Sequence, residues 1–134
     1  MRFLFASVFA ILLAQPVQAQ TFTTQSEVQP ILELTRAHWI GLGTQSGQDL
    51  LYFTHLMAYR CGLEAVYMGV NGNEPIIRAL MEPCHHGTRT PNAIRVPPIL
   101  GFTENALQSV SIRITFPDGQ ELREEFSRAA MRID

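Results

Sequence analysis

From Ser109 to Phe116 the chain alternates without interruption: Val110, Ile112, Ile114 and Phe116 fall to one side, Ser111, Arg113 and Thr115 to the other. A period of two is what a strand with one buried face requires. Pro117, Asp118 and Gly119 follow, and Gln120 to Ser127 returns, so the segment is a hairpin. Its register follows from the side chains. A two-residue Asp118-Gly119 turn would put Leu122 opposite Thr115 and Phe126 opposite Ser111, with both apolar groups on the polar face. A three-residue loop of Pro117, Asp118 and Gly119 instead pairs Ile114 with Leu122 and Val110 with Phe126. The second register is expected. It leaves Glu124 opposite Ile112 on the apolar side, which only an edge strand accommodates.

A second hairpin is expected from Leu63 to Val70 and Ile76 to Met81, joined through Asn71, Gly72 and Asn73. With the turn centred near Gly72 and Asn73, Cys61 and Cys84 face each other at the open end. Antiparallel partners have Cα atoms roughly 4.5 to 5.5 Å apart, a separation that a disulfide accepts. A structural Cys61–Cys84 bond is therefore expected, and neither sulfur is a nucleophile or a ligand.

Upstream, Ser26 and Gln29 resemble a capping box, and Val28, Ile31, Leu32, Thr35, Trp39 and Leu42 recur at helical spacing. A helix is expected over Glu27 to Trp39, with Pro30 in its first turn. Gly41 to Gly47 reads as a loop. Asp49 suits the cap of a second helix running to about Arg60 and stopped by Gly62, although Tyr52, Phe53 and Thr54 also favour a strand. Pro83 to Thr103, broken by Pro91, Pro97, Pro98 and Gly101, reads as one long loop. The fold class expected is α+β: a small antiparallel sheet built from two hairpins, with one or two N-terminal helices. If the Asp49 segment is a strand, an immunoglobulin-like β-sandwich is the alternative.

Met1 and Arg2, an apolar run from Phe3 to Ala14, and Gln15 to Ala19 follow the order of an export leader cleaved after Ala19. The run is about 12 residues, against roughly 20 for a membrane-spanning helix. Residues 1–19 are thus expected to be a signal peptide, and 20–134 a single disulfide-stapled domain, periplasmic or secreted and without stable membrane insertion. The ten basic residues are all arginine, and acidic and basic groups are interspersed. There is no basic field for nucleic acid, and no lysine for a Schiff base or a phosphate loop.

The possible sites of chemistry are sparse. Cys84, His85 and His86 are contiguous, with His38 and His55 elsewhere, but contiguous ligands point to opposite sides of an extended chain, and paired-ligand spacing is missing. No metal site or cofactor is therefore expected. Gly43, Thr44, Gln45, Ser46 and Gly47 do not fit the G-x-S-x-G elbow, because the serine falls one position late. Asp49, Glu64, Glu74 and Glu82 are the carboxylates outside the C-terminal hairpin, and nothing in their spacing places two across one substrate. No catalytic residue is assigned. The candidate binding surface is an aromatic face of Tyr52, His55 and Tyr59, together with His85, His86, Arg89 and Arg95 of the Pro-rich segment. These features point to a non-enzymatic exported module that binds another protein or an envelope component. The alternatives are a small inhibitor of an envelope enzyme presenting His85 to Pro98, a periplasmic metal carrier, and a small hydrolase with an unrecognised acidic pair.

Overall fold

The computed structural model describes residues 10–12 and 21–133, so most of the expected leader lies outside the described residues. The order of elements is α1 (Gln25–Leu34), β1 (Gly41–Gln45), β2 (Gln48–Tyr52), α2 (Thr54–Ala58), β3 (Ala65–Val70), β4 (Ile77–Arg78), β5 (Ile99–Thr103), β6 (Ser109–Thr115), β7 (Glu121–Ser127) and α3 (Arg128–Met131). The strands form two antiparallel sheets, ordered β1-β2-β5 and β4-β3-β6-β7. The fold is α+β, as expected, and no helix of the described residues is long and apolar enough to cross a membrane.

Helix α1 begins two residues before the expected box. Thr24 accepts from the Glu27 amide at 3.3 Å and donates to the Glu27 carboxylate at 2.8 Å, so the capping pair is Thr24 and Glu27. Pro30 consequently lies mid-helix and not in the first turn. The helix stops at Leu34, and a tighter 3-10 turn over Arg36–His38 swings Trp39 into the core, where its Nε1–H donates to the Leu32 carbonyl at 2.9 Å.

Gly41 to Gly47 is not a loop. Gly41–Gln45 pairs with Gln48–Tyr52 across a two-residue turn at Ser46 and Gly47, both with positive φ. Gly41 allows close approach: a Cβ there would lie 2.9 Å from Ile133 Cγ2, and that side chain would have to shift. The helix expected from Asp49 to Arg60 is also corrected, since its first half is β2 and only Thr54–Ala58 is α-helical. Asp49 does not cap a helix. Its carboxylate is buried and held by Arg128 at 2.6 and 2.9 Å and by the amides of Asn105 and Leu107. Within the expected long loop, Ile99–Thr103 pairs with β2, because Pro97 and Pro98 precede this strand without interrupting it.

Both sequence-derived registers are present. Ile114 faces Leu122, Val110 faces Phe126, and the Gly119 amide donates to the Phe116 carbonyl at 2.9 Å, closing the three-residue loop. Strand β7 is an edge strand, and Glu124 on it meets Arg36 at 3.4 Å. In the other hairpin Tyr67 faces Arg78 and Met68 faces Ile77, and Cys61 and Cys84 are bonded with Cα atoms 5.1 Å apart. The return strand is shorter than expected. The tight turn is at Asn71 and Gly72, and the chain then crosses over Gly69, where a Cβ would meet the Asn73 carbonyl oxygen at 2.2 Å. Val28 and Leu32 of α1 join Trp39, Leu51, Val66, Ile112, Ile114 and Phe126 in one core cluster.

Candidate functional site

Residues 79–98 cross the surface between β4 and β5, and Glu82, His85 and Asn92 of this segment turn toward a buried arginine and the disulfide end of β3. Arg60, almost fully buried at the end of α2, donates to the carbonyls of Met57, Asn92, Pro83 and Ala93 at 2.9 to 3.0 Å, and its Nη2 meets Glu82 at 3.4 Å. The other Glu82 oxygen accepts from the amides of Arg95 and Val96, each at 2.8 Å, and His85 Nε2 also contacts Glu82. Burial pushes the Glu82 carboxyl up, but the Val96 and Arg95 amides, His85 and Arg60 outweigh it and hold its pKa at about 2. Asn92 joins the same network, accepting from the Cys61 amide at 2.9 Å and donating to the carbonyls of Thr21 and Phe22. With the disulfide, these contacts fix a segment that has almost no regular structure of its own.

The outer side of this segment is apolar. Leu80 is 95% exposed and Val96 64%, and Ile94, Ile99 and Leu100 are also exposed. Leu80, Pro97, Pro98, Ile99 and Leu100 converge around a shallow cleft that reaches Phe53. Large apolar side chains thus face solvent beside a buried arginine and a half-buried carboxylate.

A second concave region lies elsewhere. A groove of about 460 Å³ is lined by the segment from Ala37 to Gly41, by Tyr52, Thr54 and His55, and by Ala130 to Ile133. The last residues are fastened to β1, with the Ile133 amide donating to the Leu42 carbonyl at 3.1 Å. The hydroxyl of Thr35 donates to the Ile31 carbonyl at 2.7 Å, so toward His55 Nε2, 2.9 Å away, it must accept. His55 therefore carries its proton on Nε2. Burial, and next the neighbouring His38, lower its pKa, so the ring is neutral at pH 7.

The expected binding residues thus separate into two groups. Tyr52 and His55 line the groove, and Tyr59 packs edge-on against the His55 ring at 5.3 Å and against Phe22 at 5.5 Å. His85 is tied to Glu82, His86 lies 3.5 Å from the Cys84 sulfur, and Arg89 and Arg95 are exposed on the clamped segment. Of the carboxylates, Asp49 is paired with Arg128, and Glu74 meets Arg123 at 3.7 Å. Glu64 and Glu82 do line one cavity, beside the disulfide, together with Arg78 and His86. Glu82 cannot serve as a proton donor there, because four donors keep it ionised. Among the described residues no group of three or more histidines, cysteines or carboxylates is placed to hold a metal ion.

The sequence pattern did not single out Arg60, Leu80, Val96 or Arg132. The available signal was a set of large apolar residues in a Pro-rich segment, outside any strand or helix period that would bury them. The chain matches no known family model, no curated protein and no solved structure.

Proposed function

We propose that the chain is an exported, non-enzymatic module that binds another protein or an envelope component through the outer side of residues 79–98 and the adjoining strand β5. The observation that carries this reading is a set of exposed large apolar side chains on a segment whose backbone is clamped from within. A buried arginine and carboxylate, together with a disulfide, hold the backbone in one shape, while Leu80 and Val96 face solvent. Ordering such a segment in advance removes much of the entropy that a mobile loop loses on binding. Exposed apolar groups on a rigid frame are what the centre of a protein interface requires. The disulfide supports an oxidising compartment. Inhibition of an envelope enzyme is the special case in which the partner is an active-site cleft, and the same rigidity favours it.

The test compares the mature protein with its Leu80→Asp, Val96→Asp variant as bait in an envelope extract of the source cells, read by quantitative mass spectrometry. Species held by the parent and lost by the variant, with the thermal midpoint preserved, are the expected result. Identical capture by both proteins would remove the 79–98 surface from consideration.

A further inference from the structure

Each of the two sheets has two edges, and among the described residues all but one are blunted. Along β1 the Ile133 amide donates to the Leu42 carbonyl, and Leu42 bridges to Arg132. Strand β4 is only two residues long. Strand β7 carries Glu121, Arg123, Glu124 and Glu125, and Arg36 donates to its Arg123 carbonyl at 2.9 Å. Short strands, charges and covering segments are the usual means of keeping an edge from pairing. Strand β5 lacks them. Ile99 to Thr103 is uncharged, exposed at Ile99, Leu100, Gly101 and Thr103, and paired on one side only, with β2.

The Phe53 amide donates to the Pro98 carbonyl at 2.9 Å, and bonded and non-bonded positions alternate along an antiparallel ladder. Leu100 and Phe102 therefore bond to β2, and Ile99, Gly101 and Thr103 turn their backbone groups to the free edge. Two of those groups are satisfied within the chain: the Ile99 N–H donates to the Pro97 carbonyl at 3.0 Å, and the Thr103 carbonyl accepts from the Ala106 amide at 2.9 Å. The Ile99 carbonyl, both groups of Gly101 and the Thr103 N–H have no partner among the described residues. This set is complementary to itself. We infer that two copies of the chain associate about a two-fold axis at Gly101, with β5 antiparallel against β5. Gly101 of each copy then exchanges N–H to carbonyl bonds with Gly101 of the other, and each Thr103 N–H meets the Ile99 carbonyl across the axis. The remaining two groups, the Ile99 N–H and the Thr103 carbonyl, would have faced each other and are the pair already satisfied internally. The side chains agree. Leu100 of each copy faces Phe102 of the other at a close, non-bonded position, and Ile99 faces Thr103 on the opposite side of the sheet. No charge falls within the paired strands, and the antiparallel order sets Glu104 of each copy toward the end of the other that carries Arg95. The joined sheet ends in β1 on both sides, each covered by its own C-terminal residues, so pairing stops at the dimer. Pairing at β5 deepens the reading above, on which it rests for taking this side of the molecule as an interaction surface. The backbone edge goes to a second copy, and the outer side of residues 79–98 stays open to the other partner.

Sedimentation equilibrium of the mature protein from about 1 μM to about 1 mM is expected to show monomer and dimer alone, with a Kd of about 10 to 100 μM for an interface this small. Amide exchange on the same samples should slow at Gly101 and Thr103 as concentration rises, and not at Ile99, whose N–H is already bonded in the monomer. Gly101→Pro removes an outward N–H that the monomer does not use, and Gly101→Glu sets like charges face to face across the axis. A Cβ at this position meets nothing closer than 3.6 Å, so a side chain fits in the monomer. Each variant should weaken the dimer about tenfold or more, with the thermal midpoint of the dilute protein kept within about 3 °C. If Gly101→Pro fails to fold, Gly101→Glu and the exchange pattern of the parent decide. The Leu80→Asp, Val96→Asp variant should keep the Kd within about threefold, so identical envelope capture by that variant and the parent defeats the earlier reading and leaves the dimer standing. A monomer at about 1 mM, growth past the dimer, slowed exchange elsewhere than β5, or a dimer unchanged by both Gly101 variants would each overturn the pairing.

Discussion

Two buried arginine–carboxylate clusters use the same chemistry for different ends. Asp49 receives a bidentate Arg128 and two backbone amides, and this joins β2 of one sheet to the residue that follows β7 of the other. Arg60 reaches a carboxylate only at 3.4 Å and directs most of its donors at carbonyl oxygens of an irregular segment. The first cluster neutralises a carboxylate inside the closed core. The second takes the place of the sheet partners that residues 79–98 lack. Burying a charge therefore tells little about its role until its partners are named.

The contrast is tested most severely at Asp49. Asp49→Ala leaves Arg128 and two amides without their acceptor, and the loss expected in a denaturant titration is about 3 kcal/mol or more, with the whole domain unfolding together. A loss below about 1 kcal/mol would mean that the pair does not hold the sheets. Replacing Cys61 and Cys84 by alanine should remove roughly 3 kcal/mol on the loop-entropy account. Arg60→Ala should act locally. Amide exchange is expected to accelerate across residues 83–96 while β6 and β7 stay protected, and uniform acceleration would make the two clusters equivalent.

These outcomes bear on what the sequence disclosed. The β6–β7 register and the disulfide were legible because both rest on alternation and on turn chemistry that act between near neighbours. β1 and β2 were not. Gly41 and Gly43 resemble loop residues until Ile133 and Tyr52 are seen packed against them, and Asp49 resembles a helix cap until Arg128 arrives from the far end of the chain. Strand β5 was hidden by the prolines before it. Of the candidate site, Tyr52 and His55 were legible as an aromatic face. Their separation from His85 and Arg95 was not, because it depends on how Arg60 and Glu82 fold the intervening backbone.

Acidification separates the clusters from the groove. His55 has a lowered pKa in the folded protein, so the unfolded chain takes up its proton first. Its contribution is full above about 6.5 and declines as the pH falls below that value. The carboxylates respond later. Glu82 loses its contribution only between its ordinary 4.5 and about 2. Asp49, held well below the usual carboxylate range by Arg128 against the cost of burial, loses its own at lower pH still. Thermal midpoints should thus show a shallow decline below about pH 6.5, removed by His55→Gln, before a steep fall in strong acid. A midpoint that stays flat between about pH 4.5 and 2 would contradict the strength assigned to the Glu82 cluster. The smallest effect is reserved for Leu80→Ser, expected within about 0.5 kcal/mol of the parent, because the side chain has almost no contacts to lose.

The span between Asp49 and Arg128 also sets the timetable of folding. The two residues stand 79 positions apart, and β2 reaches its other strand partner only with Ile99–Thr103. A chain delivered end-first, from a ribosome or through a narrow channel, presents β1 and β2 long before either can be completed. Until Arg128 emerges, Asp49 remains hydrated and the early sheet gains little by forming. Completion of the first sheet thus waits on residues from the second half of the chain, and the buried Asp49 on Arg128.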